Sequence, residues 1–169
     1  MFEHLTLLDI GTQTLGFMGM GLGVYGLAQL NDTRMRLIGA TACLVWAAHF
    51  ALLGAWAGCI INLFCALRDV ISLRQRSLWV VGIFTLAPLA LTPWIVTSVY
   101  DIPILLATIT DTWAMFTLAG LALRSMFYFD HIAWLIHNIA HGSVGGIIIE
   151  LIYLTTTTVT VARLYFKKT

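Results

Sequence analysis

Two polar stretches interrupt the long apolar runs of this sequence and hold the residues that could do chemistry. One is "WLIHNIAHGSVGGIIIEL" at 134–151, where Glu150 follows three isoleucines. The other is "WAAHFALLGAWAGCIINL" at 46–63, where Asn62 takes the corresponding place. A carboxylate inside an apolar helix is costly unless it is paired or hydrated, and such groups commonly serve function. Glu150 is therefore the first candidate for binding a ligand or exchanging a proton.

The two stretches align without a gap at an offset of 88 residues, and seven of the eighteen positions are identical. Tryptophan, histidine and two glycines in register indicate an internal duplication. Arg36 matches Arg124 at the same offset. The identical pairs are Trp46/Trp134, His49/His137, Gly54/Gly142, Gly58/Gly146, Ile60/Ile148, Ile61/Ile149 and Leu63/Leu151.

Spacing predicts which of these side chains share a helix face. Tryptophan and histidine stand at i and i+3 in each copy, and residues at that spacing are neighbours on a helix. GxxxG spacing in each copy predicts close helix contact in lipid. Asp111 in "TITDTWAMF" is a second carboxylate near the middle of an apolar run. The candidate substrate-binding residues are Asn62, Glu150, Trp46, Trp134, His49, His137, Asp111 and Trp113.

Structural alternatives stay open for each candidate. Either histidine alone would more commonly bond a backbone carbonyl or a hydroxyl group on a neighbouring helix. Asn62 alone favours a hydrogen bond between helices. Glu150 could pair with a histidine purely to hold the helices together. The Asp130–His131 pair, nearer the cytoplasmic end of its span, fits a local pair or a gate contact equally well.

Metal and catalytic motifs are not expected from this sequence. His137 and His141 in "HNIAH" share a helix face, but the glutamate of the zinc-protease HExxH pattern is missing. The cysteines, at 43, 59 and 65, form no CxxC pair. A phosphate-binding loop, a nucleophile elbow and a nucleic-acid patch are also missing. We therefore expect no metal, cofactor, catalytic residue or nucleic-acid partner.

Composition predicts a membrane protein. The chain has 169 residues, of which 60% are hydrophobic and 10% charged, whereas soluble domains carry about a quarter charged residues. A helical span needs roughly 20 apolar residues, so seven spans would fill most of the chain. The predicted spans are 9–29, 37–53, 55–73, 78–99, 103–122, 125–141 and 143–163.

The distribution of charge predicts the orientation. With seven spans, all lysines and arginines fall on one side, and Glu3, Asp9 and Asp101 fall on the other. Positive charge marks the cytoplasmic face, so we expect the N-terminus outside and the C-terminus in the cytoplasm. A six-span chain would divide the basic residues. They are Arg34, Arg36, Arg68, Arg74, Arg76, Arg124, Arg163, Lys167 and Lys168.

The predicted architecture is all-α, with two parallel three-helix bundles joined by a linker helix. Residues 1–76 form the first bundle, 77–100 the linker and 101–169 the second bundle. The halves are then related by an axis along the membrane normal, as in parallel-repeat transporters. The linker contains Pro88 and Pro93, and Pro93 could end it early. The predicted packing surface of the first span comprises Gly16, Gly19, Gly21, Gly23 and Gly26.

Several segments resemble a known family. "HFALLGAWAG", "ISLRQRSLWVVGIF", "DTWAMF", "WLIHN" and "GSVGG" with Glu150 resemble the YgjV type of bacterial inner-membrane protein, from about Gly11 to Lys167. That family is similar to the SWEET, PQ-loop and PnuC-like group. The resemblance implies the bacterial inner membrane and a two-bundle fold, but it names no substrate.

The wider group includes sugar carriers and carriers of vitamin precursors. In SWEET carriers an asparagine on the third helix of each bundle faces the solute, and the resemblance puts Asn62 and Glu150 in those places. Ala28-Gln29 stands where the PQ-loop pattern has Pro-Gln. This departure weakens any transfer of a proline-hinge mechanism.

Three functions are compatible with these features. The first is a carrier that exposes a central site alternately to each face, with a small polar solute and protons as candidate ligands. The second is a non-transporting membrane protein of the same fold, such as a receptor, assembly partner or chaperone-like partner. The third is an intramembrane enzyme using histidine and aspartate, which the depth of the best-matched residues disfavours. The lipid bilayer is the expected environment, and homo-oligomerisation is left open.

Overall fold

Seven α-helices account for most of the described chain, and no strand occurs within its ranges. The computed structural model describes residues 7–54, 56–75, 77–95, 98–140 and 144–167. The all-helical prediction is confirmed. The helices are α1 (Leu7–Leu27), α2 (Asp32–Leu52), α3 (Trp56–Ile71), α4 (Leu78–Ile95), α5 (Ile102–Thr117), α6 (Gly120–Ala140) and α7 (Val144–Phe166), with a 3-10 turn at Val99–Asp101.

Three helix boundaries differ from the predicted ones by five residues. The second and sixth helices begin at 32 and 120 rather than 37 and 125, and the fifth ends at 117 rather than 122. Asn31 caps α2, because its side chain accepts a hydrogen bond from the Arg34 backbone nitrogen at 2.9 Å. Gly120 begins α6 with a φ of +58°, which glycine adopts without strain. The polar start of α2 was predicted as a loop, whereas residues 120–122 at the apolar start of α6 were included in the predicted fifth span.

The fourth helix holds both of its prolines within the helix. Pro88 and Pro93 lie inside α4, which continues to Ile95 and stops short of the predicted end at 99. Its Phe84 ring lies 4.8 Å from that of Phe64 on α3 and 5.7 Å from that of Phe116 on α5. The described part of α4 therefore packs against an element from each half. Its role as a linker stays a prediction.

The second helix of each half is the central one. α2 packs against α1 and α3, while α6 packs against α5 and α7. The bounds also correspond, since α2 (32–52) and α6 (120–140) begin and end 88 residues apart, and α3 and α7 begin 88 residues apart. This is the offset at which the sequence repeats. α1 also contacts α7, which joins the two ends of the chain.

Glycines let α1 approach its neighbours closely. Five glycines of α1 were predicted to pack. At four of them an added methyl group would contact a side chain of α2 or α7, whereas at Gly21 it would contact none of the described atoms. Gly54, predicted to pack within a GxxxG pair, instead lies in the turn after α2 with a φ of +70° and open space around it. Gly142 lies outside the described residues. The four contacts are Gly16 with His49, Gly19 with Trp46, Gly23 with Tyr153 and Gly26 with Ile38.

Large apolar side chains cover much of the outer surface. Leu78, Trp79 and Phe166 are among the most exposed. By length and composition, two helices of the described chain could cross a membrane, Asp32–Leu52 and Ile147–Phe166, and two shorter apolar helices are Leu78–Pro93 and Ile102–Thr117. A surface of this kind suits lipid. The count of seven spans stays a prediction.

Candidate functional site

Two buried arginines join the halves at one end of the helices. Arg36 on α2 is 3% exposed and donates to the Leu118 carbonyl, at the end of α5, at 3.2 Å. Arg124 on α6 is fully buried and donates to the Gln29 carbonyl, beyond the end of α1, at 3.1 Å. Each arginine thus bonds the end of the first helix in the opposite half. Carbonyls at a helix end lack helical partners, and a cation satisfies them well.

Further bonds fasten the same end. Arg124 also donates to Asp32 Oδ1 at 2.8 Å, and the Gly120 backbone nitrogen donates to Asp32 Oδ2 at 2.7 Å. Arg36 also donates to the Ser72 carbonyl at 2.9 Å. We call Asp32, Arg36, Gly120 and Arg124 the basic-end clasp.

An apolar cluster lies directly beneath the clasp. Met35 and Leu123 belong to one buried cluster, and they are 88 residues apart. Met115 is buried in the cluster and Leu27 packs against it, and these two residues are also 88 apart. Counterparts from the two halves therefore meet in the same cluster. Together with the clasp, it closes the basic end along the line where the halves meet.

Four carboxylates from four helices approach one another further into the molecule. They are Asp69 on α3, Asp111 on α5, Asp130 on α6 and Glu150 on α7. Asp69 pairs with its neighbour Arg68 at 2.9 Å, and the charges of Arg68 and Asp130 both act on Asp111. We call Arg68, Asp69, Asp111, Asp130, His131 and Glu150 the polar cluster. It draws residues from both halves.

His131 connects two of these carboxylates. Its Nδ1 lies 3.1 Å from Glu150 Oε2 and 3.8 Å from Asp130 Oδ2. His131 is 5% exposed and Glu150 is 8% exposed. The sequence left a local pair and a gate contact open for Asp130–His131, and the structure shows both residues in one local cluster with Glu150. The side chain lies at the α6–α7 contact because the two helices run antiparallel and pack closely.

Two tryptophans bond to the cluster or to its neighbour. The Trp46 indole donates to the hydroxyl of Tyr153 on α7, and the Tyr153 ring lies 5.4 Å from that of His131. The Trp134 indole donates to the Asp130 carboxylate. Trp46 thereby connects the first half to the second. Trp46 and Trp134 were both predicted as site residues. Trp134 contacts the polar cluster, and Trp46 contacts Tyr153 beside it.

Asp111 has an unusual environment for a carboxylate. It is 8% exposed, and its Oδ1 atom is buried without a hydrogen-bond partner among the described residues. A buried carboxylate oxygen without a donor is expensive. Buried polar groups in folded proteins are nearly always satisfied, so an exception needs an explanation.

The histidines predicted at the site have different positions. The His49 Nδ1–H donates to the Thr12 carbonyl on α1 at 2.7 Å, within its own half. This is the structural alternative that the sequence left open. His137 is half-buried on α6. The two copies keep one local geometry, since edge-to-face rings lie 5.3 Å apart in Trp46–His49 and 5.7 Å apart in Trp134–His137.

Two further candidates differ in how far they are exposed. Trp113 is 48% exposed and faces outward on α5, whereas Asp111, two residues earlier, is buried. Asn62 is half-buried on α3. Their roles as site residues stay predictions. Within the described residues no group of three or more histidine, cysteine, aspartate or glutamate side chains could hold a metal ion, and His141 lies outside those residues.

Sequence reasoning missed Arg68, Asp69 and Tyr153 as parts of the site. Arg68 was counted only as a basic residue near a helix end, although its side chain and that of Asp69 are buried. One signal was available: Arg68-Asp69 lies before the end of an apolar run rather than after it. Tyr153 gave no such signal, because a tyrosine in a membrane helix commonly marks an interface.

Comparisons with known proteins agree with the membrane-like surface. Residues 10–168 match the family described as "Bacterial inner membrane protein", Imp-YgjV. The "Inner membrane protein YgjV" of Escherichia coli (strain K12) is 31% identical over 157 residues, which cover 90% of this chain and 84% of that protein. No solved structure matches the chain. The chain belongs to the YgjV family of bacterial inner membrane proteins.

Proposed function

We propose that this protein is a carrier that moves a small polar solute across the bacterial inner membrane by alternating access. The observation that carries the proposal is the buried Oδ1 of Asp111, which has no hydrogen-bond partner within a polar cluster shared by both halves. A cluster that served only to hold helices together would satisfy its carboxylates. A binding site leaves an acceptor for its ligand.

Correspondence between the two halves of the chain supports alternating access. We propose a 3+1+3 arrangement of parallel repeats, because α2 and α6 share their bounds at the offset of 88 and the two arginines make reciprocal contacts. In transporters built this way, the substrate site lies near the middle of the membrane between the repeats. The polar cluster, which draws its residues from both halves, is the site we assign to that role. Rocking of one half against the other would then open it to alternate sides.

The clasp and the apolar cluster act as the closed inner gate in this proposal. The positive-inside rule assigns the end with the arginines to the cytoplasm, which puts the N-terminus outside and the C-terminus in the cytoplasm over seven spans. Access to the polar cluster would then come from the outer side in this conformation. Opening to the cytoplasm would require the bonds of Arg36 and Arg124 to break.

The solute is expected to be rich in hydrogen-bond donors. The polar cluster holds more carboxylates than cations, so donor groups such as hydroxyls or amines would satisfy its acceptors. We assign Asp111 and Glu150 as the central ligands, and Trp46 and Trp134 as residues that orient the site. Asn62 and His137 stay candidates for further contacts with the solute. His49, which bonds the Thr12 carbonyl, and Trp113, which faces outward, are not assigned to the site in this proposal. A carrier needs no catalytic residue, cofactor or metal.

A thermal-shift screen of the purified protein tests this function. Sugars, nucleosides, vitamins and organic acids would each be added, and the unfolding midpoint would be measured. A binding solute stabilises the folded state by mass action, by about 2.7 kcal/mol at a hundred times its dissociation constant. We expect at least one solute to raise the midpoint, with the shift lost in Glu150→Ala and Asp111→Asn.

Other outcomes favour other functions. A shift that persists in both variants would place the solute elsewhere and contradict the site. If none of the solutes shifts the midpoint, while the variants only change stability, the non-transporting alternative is favoured.

A further inference from the structure

We propose that Asp130, His131 and Glu150 form a proton-binding site, and that the proton is the coupling ion of the carrier. The second part rests on the proposed function, whereas the first part does not. We refer to the three residues as the proton triad. The argument starts from the two nitrogens of the imidazole.

The surroundings of His131 suit a site that binds and releases a proton. Its Nδ1 is close to two carboxylates, at 3.1 Å and 3.8 Å. Its Nε2 is buried with no hydrogen-bond partner among the described residues. A positive imidazolium satisfies the carboxylates but leaves an N–H without an acceptor, and a neutral ring leaves a nitrogen without a donor. Neither protonation state of the ring therefore satisfies every one of these polar atoms.

A histidine with a purely structural role looks different in this protein. The Nδ1–H of His49 donates to a backbone carbonyl at 2.7 Å, and a carbonyl can only accept. That bond fixes which nitrogen carries the hydrogen. His131 instead has Glu150 as its near partner, and a carboxylate can either accept a proton or give one back. The two buried histidines therefore differ in chemistry.

The charged groups around the proton triad favour uptake of a proton. The triad has two carboxylates and one imidazole, and the nearby Asp111 adds another acid. The cation Arg68 is already paired with Asp69 at 2.9 Å, which leaves an excess of acid. One proton bound in the triad lowers that excess of negative charge by one, which is favourable because charge is costly in a low-dielectric interior. The titratable and charged groups that interact with the triad are Arg68, Asp111, Cys65 and Tyr153.

A proton fits the triad better than a metal cation. Hard cations such as Na⁺, Mg²⁺ and Ca²⁺ take several converging oxygen ligands. Here a ring nitrogen stands between the two carboxylates, and the described residues provide no cluster suited to a metal ion. Histidine beside a carboxylate exchanges protons near neutral pH.

The ionisable groups also lie at successive depths. By helix rise, Asp111 lies about 9 Å from the basic end of α5 and Asp130 about 15 Å from the basic end of α6. Glu150 lies about 9 Å from the opposite end, at the start of α7. The groups thus form a series across the interior. Such a series suits proton movement between the two sides.

Infrared difference spectroscopy tests the proton site directly. The purified protein in lipid would be compared at about pH 8 and about pH 5, the range in which histidine titrates. We expect the carbonyl stretch of a protonated carboxylic acid to appear at the lower pH. That band should be lost in Glu150→Gln and altered in His131→Gln, with circular dichroism verifying that each variant is folded.

The matched control is His49→Gln. It removes a buried histidine that bonds the Thr12 backbone carbonyl, so the carboxylic acid band should keep its size and position. The proposal is overturned if no band appears between the two pH values. It is also overturned if the band persists unchanged in Glu150→Gln and His131→Gln.

Vesicle measurements separate this proposal from the proposed function. Proteoliposomes with a trapped pH-sensitive dye would receive a solute found in the thermal-shift screen. Solute uptake without a proton flux overturns proton coupling and leaves the carrier in place. A pH-dependent carboxylic acid band without any solute uptake leaves the proton site and overturns the carrier.

Discussion

Asp32 and Gly120 bond directly to each other, and they are 88 residues apart in the chain. The Gly120 backbone nitrogen donates to Asp32 Oδ2 at 2.7 Å. When two halves are related by a two-fold axis, a residue can contact its own counterpart only beside that axis. Met35 and Leu123, also 88 apart, share a buried cluster. The proposed 3+1+3 arrangement would put such an axis near these residues, and the paired contacts at the basic end are what it predicts.

The first prediction concerns the basic-end clasp. Arg124→Gln should loosen the end of the molecule, because bonds made by a charged donor are each worth about 1.5–3 kcal/mol. Loss of one such bond corresponds to about a tenfold change in an opening equilibrium. A cysteine in place of Met35, in a protein with its native cysteines replaced, should then react with a thiol reagent about tenfold faster.

Arg34→Gln is the control for that change, because Arg34 is exposed and lies two residues from Arg36. It should leave the reaction rate of the cysteine unchanged. Equal labelling of the cysteine with and without Arg124→Gln would refute the role of the clasp as a gate.

The second prediction concerns the glycines of α1. Gly23→Ala should lower stability by about 1–3 kcal/mol, because the added methyl group would overlap the Tyr153 hydroxyl and overpacking has that cost. Gly21→Ala adds the same methyl group on the same helix, where it meets nothing. The thermal midpoint of Gly21→Ala should therefore stay near that of the wild type. Similar losses in both variants would show that the contact with Tyr153 is not what matters.

The third prediction contrasts two buried aspartates. Asp111→Asn should keep or raise the thermal midpoint, because it removes a buried carboxylate whose Oδ1 has no hydrogen-bond partner among the described residues, and binding sites commonly cost stability. The same variant should lose the solute-induced shift. Asp69→Asn breaks a buried ion pair with Arg68 at 2.9 Å and should cost about 3–5 kcal/mol. A larger loss of stability in Asp111→Asn than in Asp69→Asn would contradict this assignment.

The fourth prediction separates the two kinds of tryptophan. Trp46→Phe removes the hydrogen bond to Tyr153 and should weaken solute binding several-fold. Trp113→Phe changes a side chain that is 48% exposed on the outer surface, so affinity should stay within about twofold. Titration of the thermal midpoint against solute concentration measures both. If only Trp113→Phe weakened binding, the solute would bind at the outer face of α5, which would contradict the assigned site.

The repeat and the helical class could be predicted from the sequence. Trp46/Trp134 and Arg36/Arg124 stand in register without a gap, and the bounds of α2 and α6 keep that register in the structure. Apolar runs located all seven helices, because length and hydropathy are local properties. The start of α2 was missed because its first residues are polar and look like a loop to a hydropathy window. The boundary at Gly120 was missed because the residues around it are apolar, so the predicted fifth span continued to 122.

The partners of the buried charges could not be predicted. The sequence identified Glu150 and Asp111 as unusual, but which histidine meets Glu150 depends on how α6 and α7 rotate against each other. His137 was the symmetric candidate, whereas His131 makes the contact at 3.1 Å. Arg36 and Arg124 were interpreted as marks of membrane orientation. Their bonds to the opposite half depend on the packing between halves, which no single repeat encodes.

The most direct test of the carrier is a counterflow measurement. Proteoliposomes loaded with an unlabelled solute from the thermal-shift screen would be placed in a trace of the same solute carrying a radioactive label. Alternating access predicts transient accumulation of label, which is lost in Asp111→Asn and Glu150→Gln. The central claim would be contradicted if, for every solute that binds, the label accumulated no more than it does in liposomes without the protein.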